Sequence, residues 1–464
     1  MSQASDRSSI LTDTIAPRMA IGPIQLLRQA TTEQRRTLLA AALGWMLDAF
    51  DAMLYALVLA YVMRALGMSK ATSGLLYTLT LLASGMGGVL FGFVADRVGR
   101  KRALMLSILT YSICSFASGF STTVLMLAMF RFILGLGMGG EWNTGATLVA
   151  ETWPDEFRAR AIAMVQSSWA IGFALAALVS GIILRYANWR AVFFVGILPA
   201  LITLWIRKSV PESGLWIEHI KDQNLIPQRS HSALRNPEEK SFPNPLRTQR
   251  SLRFKIVASG QDSFFRIFHA PYLKSTLALL FLNFFGLFGW WGLFSWIPPY
   301  LSLPVGQGGR GFGVMGTTTL LVVLNLFGMF PGYVSFGWFA DHLGRRRAFM
   351  LYLFMAAVLV PTYAMARSQS ALLVLGTIVA FFGTGFFSGS GLIGSEIFPT
   401  RLRARALGFT YNGARTLSSV APYVIGRVGQ TQGLSWAFYL CGAAFLLACL
   451  MASLLPETRG RSLE

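Results

Sequence analysis

Long apolar segments alternate with short polar stretches along nearly the whole chain. Each apolar segment is close to the roughly 20 residues that a helix needs to cross a bilayer. The segments lie at 38–63, 74–95, 103–121, 124–149, 160–184, 189–207, 273–300, 313–339, 348–366, 371–395, 404–426 and 434–455. This pattern predicts an all-α membrane protein with twelve transmembrane helices.

A longer polar stretch separates the twelve segments into two groups of six. It contains several prolines and charges of both signs, which indicates a linker outside the membrane. The sequence therefore predicts a tail at 1–37, a six-helix half at 38–207, the linker at 208–272, a second six-helix half at 273–455 and a tail at 456–464.

Composition and charge agree with this organisation. Of the 464 residues, 54% are hydrophobic and only 13% are charged, whereas a soluble domain carries about 25% charged residues. The net charge of +20 is typical of a nucleic-acid-binding protein. Most Lys and Arg residues, however, lie in polar segments on one side of the predicted membrane. The positive-inside rule then places both termini in the cytosol of a cell-membrane protein, with no role in nucleic-acid binding.

Neither cofactor nor metal is expected. The three cysteines lie inside apolar segments without metal-ligand spacing or a disulfide pattern, and the histidines form no catalytic set. Residues 1–36 lack the short apolar core of a signal peptide. The sequence thus argues against an enzyme.

Three short motifs occur twice, each time 245 residues apart. The first motif ends the second and eighth segments; its copies contain Gly92, Asp96, Arg97, Gly99 and Arg100, and Gly337, Asp341, His342, Gly344 and Arg345. The second contains Glu151 and Arg158 in one copy and Glu396 and Arg403 in the other. The third is Pro-Glu-Ser at 211–213 and Pro-Glu-Thr at 456–458. The chain is therefore a duplicated six-helix unit.

These motifs have a physical interpretation. Glycines permit tight turns, basic residues stay at the cytosolic interface, and an Asp pairs with an Arg or caps a helix. Such contacts form a cytosolic gate between the halves, or they serve only to fix topology.

The repeated Gly-x-x-x-Asp-[Arg/His]-x-Gly-Arg-[Lys/Arg]-Arg motif resembles the signature cytosolic loop of the major facilitator superfamily. The Pro-Glu-Ser and Pro-Glu-Thr ends look like those of its sugar-porter and metabolite branches. The resemblance implies two six-helix halves around a central site, with alternating access by rocking. His342 departs from the pattern, which puts the equivalence of the two loops in doubt.

Five ionisable residues fall inside predicted spans, where charge is costly and each is a functional candidate. They are Asp48, Asp51, Arg131, Glu141 and Arg415. None has an ionisable counterpart 245 residues away, so they are specific to each half.

Four of these residues indicate proton coupling. Asp48 and Asp51 share one helix face with Tyr55, and Arg131 lies at a similar depth in the fourth span. Burial favours the protonated form of a carboxyl group and a nearby guanidinium favours the ionised form, so the set can carry a proton. The alternative is a static ion pair between two spans. Glu141 is either a second proton site or the partner of a loop arginine.

Arg415 lies near the predicted midplane and shares a face with Tyr411 and Asn412. Its planar fork suits a substrate carboxylate, and its alternatives are a first-half Asp partner or a structural role. Further candidates for lining the cavity are Asn283, Trp291, Gln166 and Asn325. The tryptophans of the seventh span either line the cavity or anchor at the interface.

The Asp48-Ala49-Phe50-Asp51 segment resembles the paired-Asp motif of aromatic-acid and sialate/lactate-type proton symporters. The Gly139-Gly140-Glu141-Trp142 segment looks like the same organic-acid branches, and the Tyr411-Asn412-x-x-Arg415 segment is compatible with them. The resemblance implies proton-coupled uptake of a mono- or dicarboxylate by a monomer in the inner membrane. The alternatives are a drug or organic-cation exporter, a sugar transporter, and a nutrient sensor that transports nothing.

Overall fold

A computed structural model of the protein describes residues 30–212 and 264–459, together with residues 28 and 217. Most of the predicted N-terminal tail and most of the predicted linker lie outside these residues. The ordered elements of the described ranges are all helical.

Twelve helical stretches follow the predicted segments. In the first half they are α1 Thr32–Leu66, α2 Lys70–Val98, α3 Arg100–Ser118, α4 Val124–Thr152, α5 Asp155–Tyr186 and α6 Trp189–Ser209. In the second half they are α7 Leu273–Ser302, α8 Val314–Leu343, α9 Arg345–Met365, α10 Gln369–Ile397, α11 at 400–431 and α12 Leu434–Ser453. Within the described ranges, ten of them are long and apolar enough to cross a membrane; α3 and α11 are not in that set.

The two exceptions have local causes. Helix α3 spans 19 residues and opens with three basic side chains, which lowers its mean hydropathy. Helix α11 is interrupted: a π-helical segment at Gly408–Gly413 precedes Ala414–Ser418, and a turn separates this piece from Ala421–Thr431. Helix α8 contains a second π-helical segment at Leu324–Met329. Such segments are frequent at functional sites.

The turn between α1 and α2 shows how the sequence fixes helix ends. Gly67 ends α1 in a left-handed conformation with φ of 62°, which glycine adopts without steric cost. Two residues later Ser69 begins α2, and its hydroxyl accepts a hydrogen bond from the Thr72 amide. The two long helices are therefore antiparallel neighbours joined by a very short connection.

Close helix packing repeats at the same 245-residue interval as the motifs. A Cβ atom on Gly87 of α2 would overlap the Leu136 carbonyl of α4, and one on Gly332 of α8 would overlap the Phe381 carbonyl of α10. Glycine at these positions lets the helix backbones touch. The duplicated sequence therefore produces a duplicated packing contact.

The two halves meet along α2 with α11 and along α5 with α8. One end of this interface is closed by hydrogen bonds between the halves. The Lys70 Nζ donates to the carbonyls of Gln307 at 2.7 Å and Gly429 at 3.1 Å. The Ala71 amide donates to the Gln430 side chain at 3.3 Å. We call this the Lys70 end, and the opposite end, which carries the repeated motifs, the Arg100 end.

Candidate functional site

The two aspartates of α1 are fully buried but face different neighbours. Asp48 and Asp51 each have 0% exposure. Asp51 Oδ1 accepts a hydrogen bond of 3.0 Å from Ser115 Oγ on α3. It also lies against Gly196 of α6, where a Cβ atom would collide with the carboxylate. Asp51 is therefore fixed between α1, α3 and α6.

Arg131 lies in an aromatic cage. Its guanidinium carbon is 4.9 Å from the centre of the Tyr55 ring and 6.0 Å from that of Tyr77. All three of its side-chain nitrogens are buried without a hydrogen-bond acceptor among the described residues. The tyrosine hydroxyls donate elsewhere, to the carbonyls of Ser73 and Ala52. The cation–π contacts only partly replace the lost hydration of the guanidinium.

Arg131 lies in electrostatic range of Asp51, but the two side chains form no hydrogen bond with each other. The direct ion pair that the sequence allowed is thus absent, because Ser115 holds one oxygen of Asp51 and the tyrosines hold the guanidinium. Asp51 Oδ2 has no hydrogen-bond partner in the described part of the chain.

Glu141 and Asp48 form a second acidic group. Glu141 has 1% exposure, and its carboxylate lies against Gly44 of α1, one turn before Asp48. Glu141 Oε2 and both Asp48 oxygens are buried without a hydrogen-bond donor among residues that the structure describes. Among the described residues, the arginine in electrostatic range of Glu141 is Arg415 of α11 and not the loop arginine that the sequence also allowed. Carboxyl groups so placed are stabilised by a proton or by a cation.

Arg415 of α11 brings a cation from the second half to this acidic group. It lies in electrostatic range of both Asp48 and Glu141. Its Nη2 donates a hydrogen bond of 2.7 Å to Ser84 Oγ on α2, across the interface of the halves. Arg415 keeps 7% exposure, whereas Arg131 has none. Of the two buried arginines, Arg415 is therefore the less enclosed.

The weaker lining candidates differ in their surroundings. Asn283 is occupied within the second half, since it accepts from Ser390 Oγ at 2.6 Å and its amide reaches the Thr410 carbonyl at 3.5 Å. Asn325 donates to the Leu321 carbonyl at 2.8 Å within the π-helical part of α8. Gln166 is buried on α5.

The remaining two candidates lie in the π-helical part of α11, where Tyr411 is half-buried and Asn412 is exposed. Tyr411 lies in electrostatic range of Arg415.

A continuous group of aromatic rings crosses the interface between the halves, and we call it the aromatic wall. Neighbouring ring centres are 4.5–6.1 Å apart along Trp142, Trp45, Trp169, Trp291 and Tyr77. Trp290 joins the wall at 4.7 Å from Trp291. The indole nitrogens of Trp45 and Trp169 are buried with no acceptor in the described ranges. The wall offers flat apolar surfaces with two free donors.

The repeated motifs form matching ion pairs at the Arg100 end. Arg100 bonds to Asp96 at 2.8 Å and to Glu151 at 3.3 Å. Arg345 bonds to Asp341 at 2.5 Å and to Glu396 at 3.2 Å. The glycine before each arginine has a φ near 100°: 99° for Gly99 and 97° for Gly344. The two loops are therefore equivalent in geometry despite His342.

Each of these ion pairs joins helices of the same half, rather than one half to the other. Arg158 and Arg403 also match, because each donates to a backbone carbonyl five residues earlier, at 3.4 Å. Arg97 is exposed, and Gly92 and Gly337 lie in open surroundings. The gate role of these residues stays a prediction.

Sequence reasoning missed Ser84, Ser115 and Tyr77, which contact the buried ions directly. Buried serines usually bond to their own helix backbone, so their presence in an apolar segment did not single them out. Among the described residues, no group of three or more His, Cys, Asp or Glu side chains could hold a metal ion.

Comparisons with known proteins identify the family. The model of the Major Facilitator Superfamily matches residues 41–330 and 309–463. The "Probable 4-methylmuconolactone transporter" of Cupriavidus pinatubonensis is 30% identical over 94% of both chains. The sialic acid transporter NanX of Escherichia coli is 30% identical over 90% of this chain and 93% of its own.

A solved structure has the same fold. The crystal structure of a D-xylose-proton symporter superimposes with a TM-score of 0.70 at 18% identity, over 93% of this chain and 100% of the other. With its apolar helices, the chain is a multi-pass protein of the inner membrane. It belongs to the Major Facilitator Superfamily of transporters and groups with the organic-acid branches of that family.

Proposed function

We propose that the protein takes up an organic anion, a mono- or dicarboxylate, together with protons. The observation that supports this proposal most directly is Arg415, a buried residue with 7% exposure whose guanidinium lies in electrostatic range of two carboxyl groups of the other half. A planar guanidinium binds a carboxylate through parallel hydrogen bonds. The organic-acid names of the relatives support the same substrate class.

Proton coupling follows from competition for this cation. When a substrate carboxylate binds Arg415, less of its charge is available to Asp48 and Glu141. These buried groups then hold a proton more strongly, because the charged form has lost its compensation. By linkage, protons and substrate strengthen each other's binding. Asp51 and Arg131 form a second buried pair of charges, and their interaction changes when an aspartate of α1 is protonated.

The aromatic wall favours a flat, unsaturated acid over a bulky saturated one. Aromatic rings bind planar conjugated groups through offset or edge contacts. The free indole donors of Trp45 and Trp169 suit a second oxygen acceptor on the substrate. Trp291 is then a lining residue, whereas Asn283 acts through helix packing.

Alternating access would occur by relative rocking of the halves 38–207 and 273–455 about the central site. The hydrogen bonds at the Lys70 end support a state closed on that side. The concentration of basic residues supports a cytosolic Arg100 end, with both termini in the cytosol. We propose that the ion pairs of Arg100 and Arg345 stabilise each half at this gate.

The experiment is uptake by purified protein in liposomes, with a panel of carboxylates and an inward proton gradient. Gradient-driven uptake of one acid should fall at least tenfold in Arg415→Ala, about the loss expected for a charged hydrogen-bonding partner. Arg427→Ala is the matched control, because Arg427 is an exposed arginine of the same helix. Equal activity of both variants would contradict the role of Arg415.

A second function, export of an organic cation, has one supporting observation. The buried set contains three carboxyl groups and two guanidinium groups, so a bound cation would balance it when all are ionised. Inhibition by organic cations and not by carboxylates would replace the first proposal with this one.

A further inference from the structure

We propose that Ser84 is a positioning residue for Arg415, and that their hydrogen bond couples substrate binding to closure of the Lys70 end. The inference rests on the proposed function, because it gives Arg415 the role of binding the substrate carboxylate. It assigns to a neutral side chain the task of linking that arginine to the other half.

Ser84 is firmly held in the first half. It has 1% exposure, and its backbone carbonyl lies in direct contact with Gly139 of α4, where a Cβ atom would overlap it. Gly87, three residues later, makes the same kind of contact with Leu136. Because α2 and α4 are packed this tightly, Ser84 moves only with the whole first half.

The partner helix meets α2 at two successive residues. Arg415 Nη2 donates to Ser84 Oγ at 2.7 Å. The next residue, Thr416, contacts Gly85, since a Cβ atom there would lie 2.7 Å from the threonine hydroxyl. The arginine lies two residues after the π-helical segment Gly408–Gly413. A rigid acceptor therefore faces a guanidinium carried by an irregular helix.

The same two helices close the Lys70 end. Gly74 of α2 packs on the Pro422 carbonyl of α11, and Gly426 of α11 packs on the Lys70 carbonyl. Beyond these contacts lie the hydrogen bonds from Lys70 and Ala71. Separation of α2 from α11, which opening of this end requires, also breaks the bond between Ser84 and Arg415.

An arginine can bind Ser84 and a carboxylate at once. The guanidinium has five N–H donors, and Ser84 accepts from one nitrogen. A substrate held by Arg415 is thus bound more tightly in the state where Ser84 fixes the guanidinium. A ligand shifts a conformational equilibrium by its difference in affinity between the states. Substrate binding should therefore favour closure of the Lys70 end.

The first test compares Ser84→Ala with Ser84→Thr in liposome uptake of the carboxylate identified above. Loss of a hydrogen bond to a charged group should raise the KM of Ser84→Ala about tenfold, with a smaller change in the maximum rate. Ser84→Thr keeps the hydroxyl and should recover most of the affinity. Ser118→Ala is the matched control, because Ser118 is a fully buried serine that bonds to the Cys114 carbonyl of its own helix.

A double-mutant cycle separates positioning from general packing. In the background of Arg415→Ala, the Ser84→Ala change should have little further effect, since the two act through one bond. Full additivity, or equal loss in Ser84→Ala and Ser84→Thr, would overturn the proposal. An unchanged KM in Ser84→Ala would overturn it as well.

A measurement without substrate distinguishes failure of the Ser84 inference from failure of the proposed function. Ala71→Cys places a thiol on α2 at the Lys70 end, where an impermeant maleimide reports closure. Labelling should be faster when Ser84→Ala is added, and the Ser118→Ala control should label like the parent. If the wild type transports no carboxylate but labelling still rises, the proposed function fails while the closing role of Ser84 stands. If carboxylate uptake is confirmed and neither KM nor labelling responds, the Ser84 inference fails alone.

Discussion

Asp51 and Arg131 lie in electrostatic range of each other but are held apart by separate partners. Asp51 accepts a hydrogen bond from Ser115, and Arg131 lies over the ring of Tyr55. A directly bonded pair in a low-dielectric setting resists protonation, because the proton must break strong hydrogen bonds. An unbonded pair leaves the free Asp51 oxygen available to a proton.

Replacement of Asp51 by Asn should remove this proton site while keeping its shape and its contact with Ser115. Uptake driven by a proton gradient is expected to fall at least tenfold. Exchange of internal for external substrate should be retained, since it needs no net proton movement. Both rates are measured with the same radiolabelled acid in liposomes. Gradient-driven uptake at the wild-type rate would show that Asp51 carries no coupled proton.

The cage around Arg131 should depend on the ring of Tyr55 and not on its hydroxyl. Tyr55→Phe keeps the ring and loses only a hydrogen bond to the Ser73 carbonyl. Tyr55→Leu removes the cation–π contact, worth about 2 kcal/mol when desolvated. In detergent solution, the unfolding temperature should fall clearly in Tyr55→Leu and only slightly in Tyr55→Phe. Similar losses in the two variants would rule out a cation–π contribution.

Lys70 should stabilise closure of its own end of the molecule. Lys70→Met keeps the length of the side chain but loses the hydrogen bonds to the Gln307 and Gly429 carbonyls. Faster maleimide labelling at Ala71→Cys is the expected result. Arg64→Met is the control, since Arg64 is exposed at the end of α1. Unchanged labelling in Lys70→Met would mean that apolar packing of α2 on α11 is sufficient.

The repeated ion pairs should differ in strength according to burial. Glu396 has 9% side-chain exposure and Asp341 has 68%, although both bond to Arg345. Exposed pairs contribute about 0–1 kcal/mol because water screens them, whereas a partly buried carboxylate that loses its partner costs more. Glu396→Gln should therefore lower the unfolding temperature more than Asp341→Asn. The reverse order would contradict the burial argument.

The first-half counterparts offer an internal repeat of that experiment. Glu151 is 18% exposed at its side chain and Asp96 is 72% exposed. The same ranking is expected for Glu151→Gln and Asp96→Asn.

Most of the fold could be predicted from the sequence because hydrophobic length and repeated motifs are local signals. The buried charges were also visible, since an Asp or Arg inside an apolar segment is costly and therefore a functional candidate. The exception is α11. Its π-helical segment Gly408–Gly413 accommodates one residue more than a regular helix would, and the composition of the segment gives no sign of this. The predicted span at 404–426 therefore lies across four helical pieces, Thr400–Leu407, Gly408–Gly413, Ala414–Ser418 and Ala421–Thr431.

The partners of the charges could not be predicted, because they depend on how helices rotate and pack. Sequence spacing places Asp48 and Asp51 on one helix face. In the structure, however, Asp51 faces α3 and α6, whereas Asp48 lies in electrostatic range of Arg415 of the other half. Ser84 and Ser115 were recognisable as partners only once α2, α3 and α11 had been placed in space.

The matching contacts of Gly87 with Leu136 and of Gly332 with Phe381 bear on the ancestry of the molecule. Each contact lies inside one half, so neither needs the other half in order to form. The buried ions differ in this respect, because Asp48, Asp51 and Glu141 lie in the first half and Arg415 lies in the second. Two fused halves can differ in this way, whereas the identical subunits of a symmetric dimer cannot.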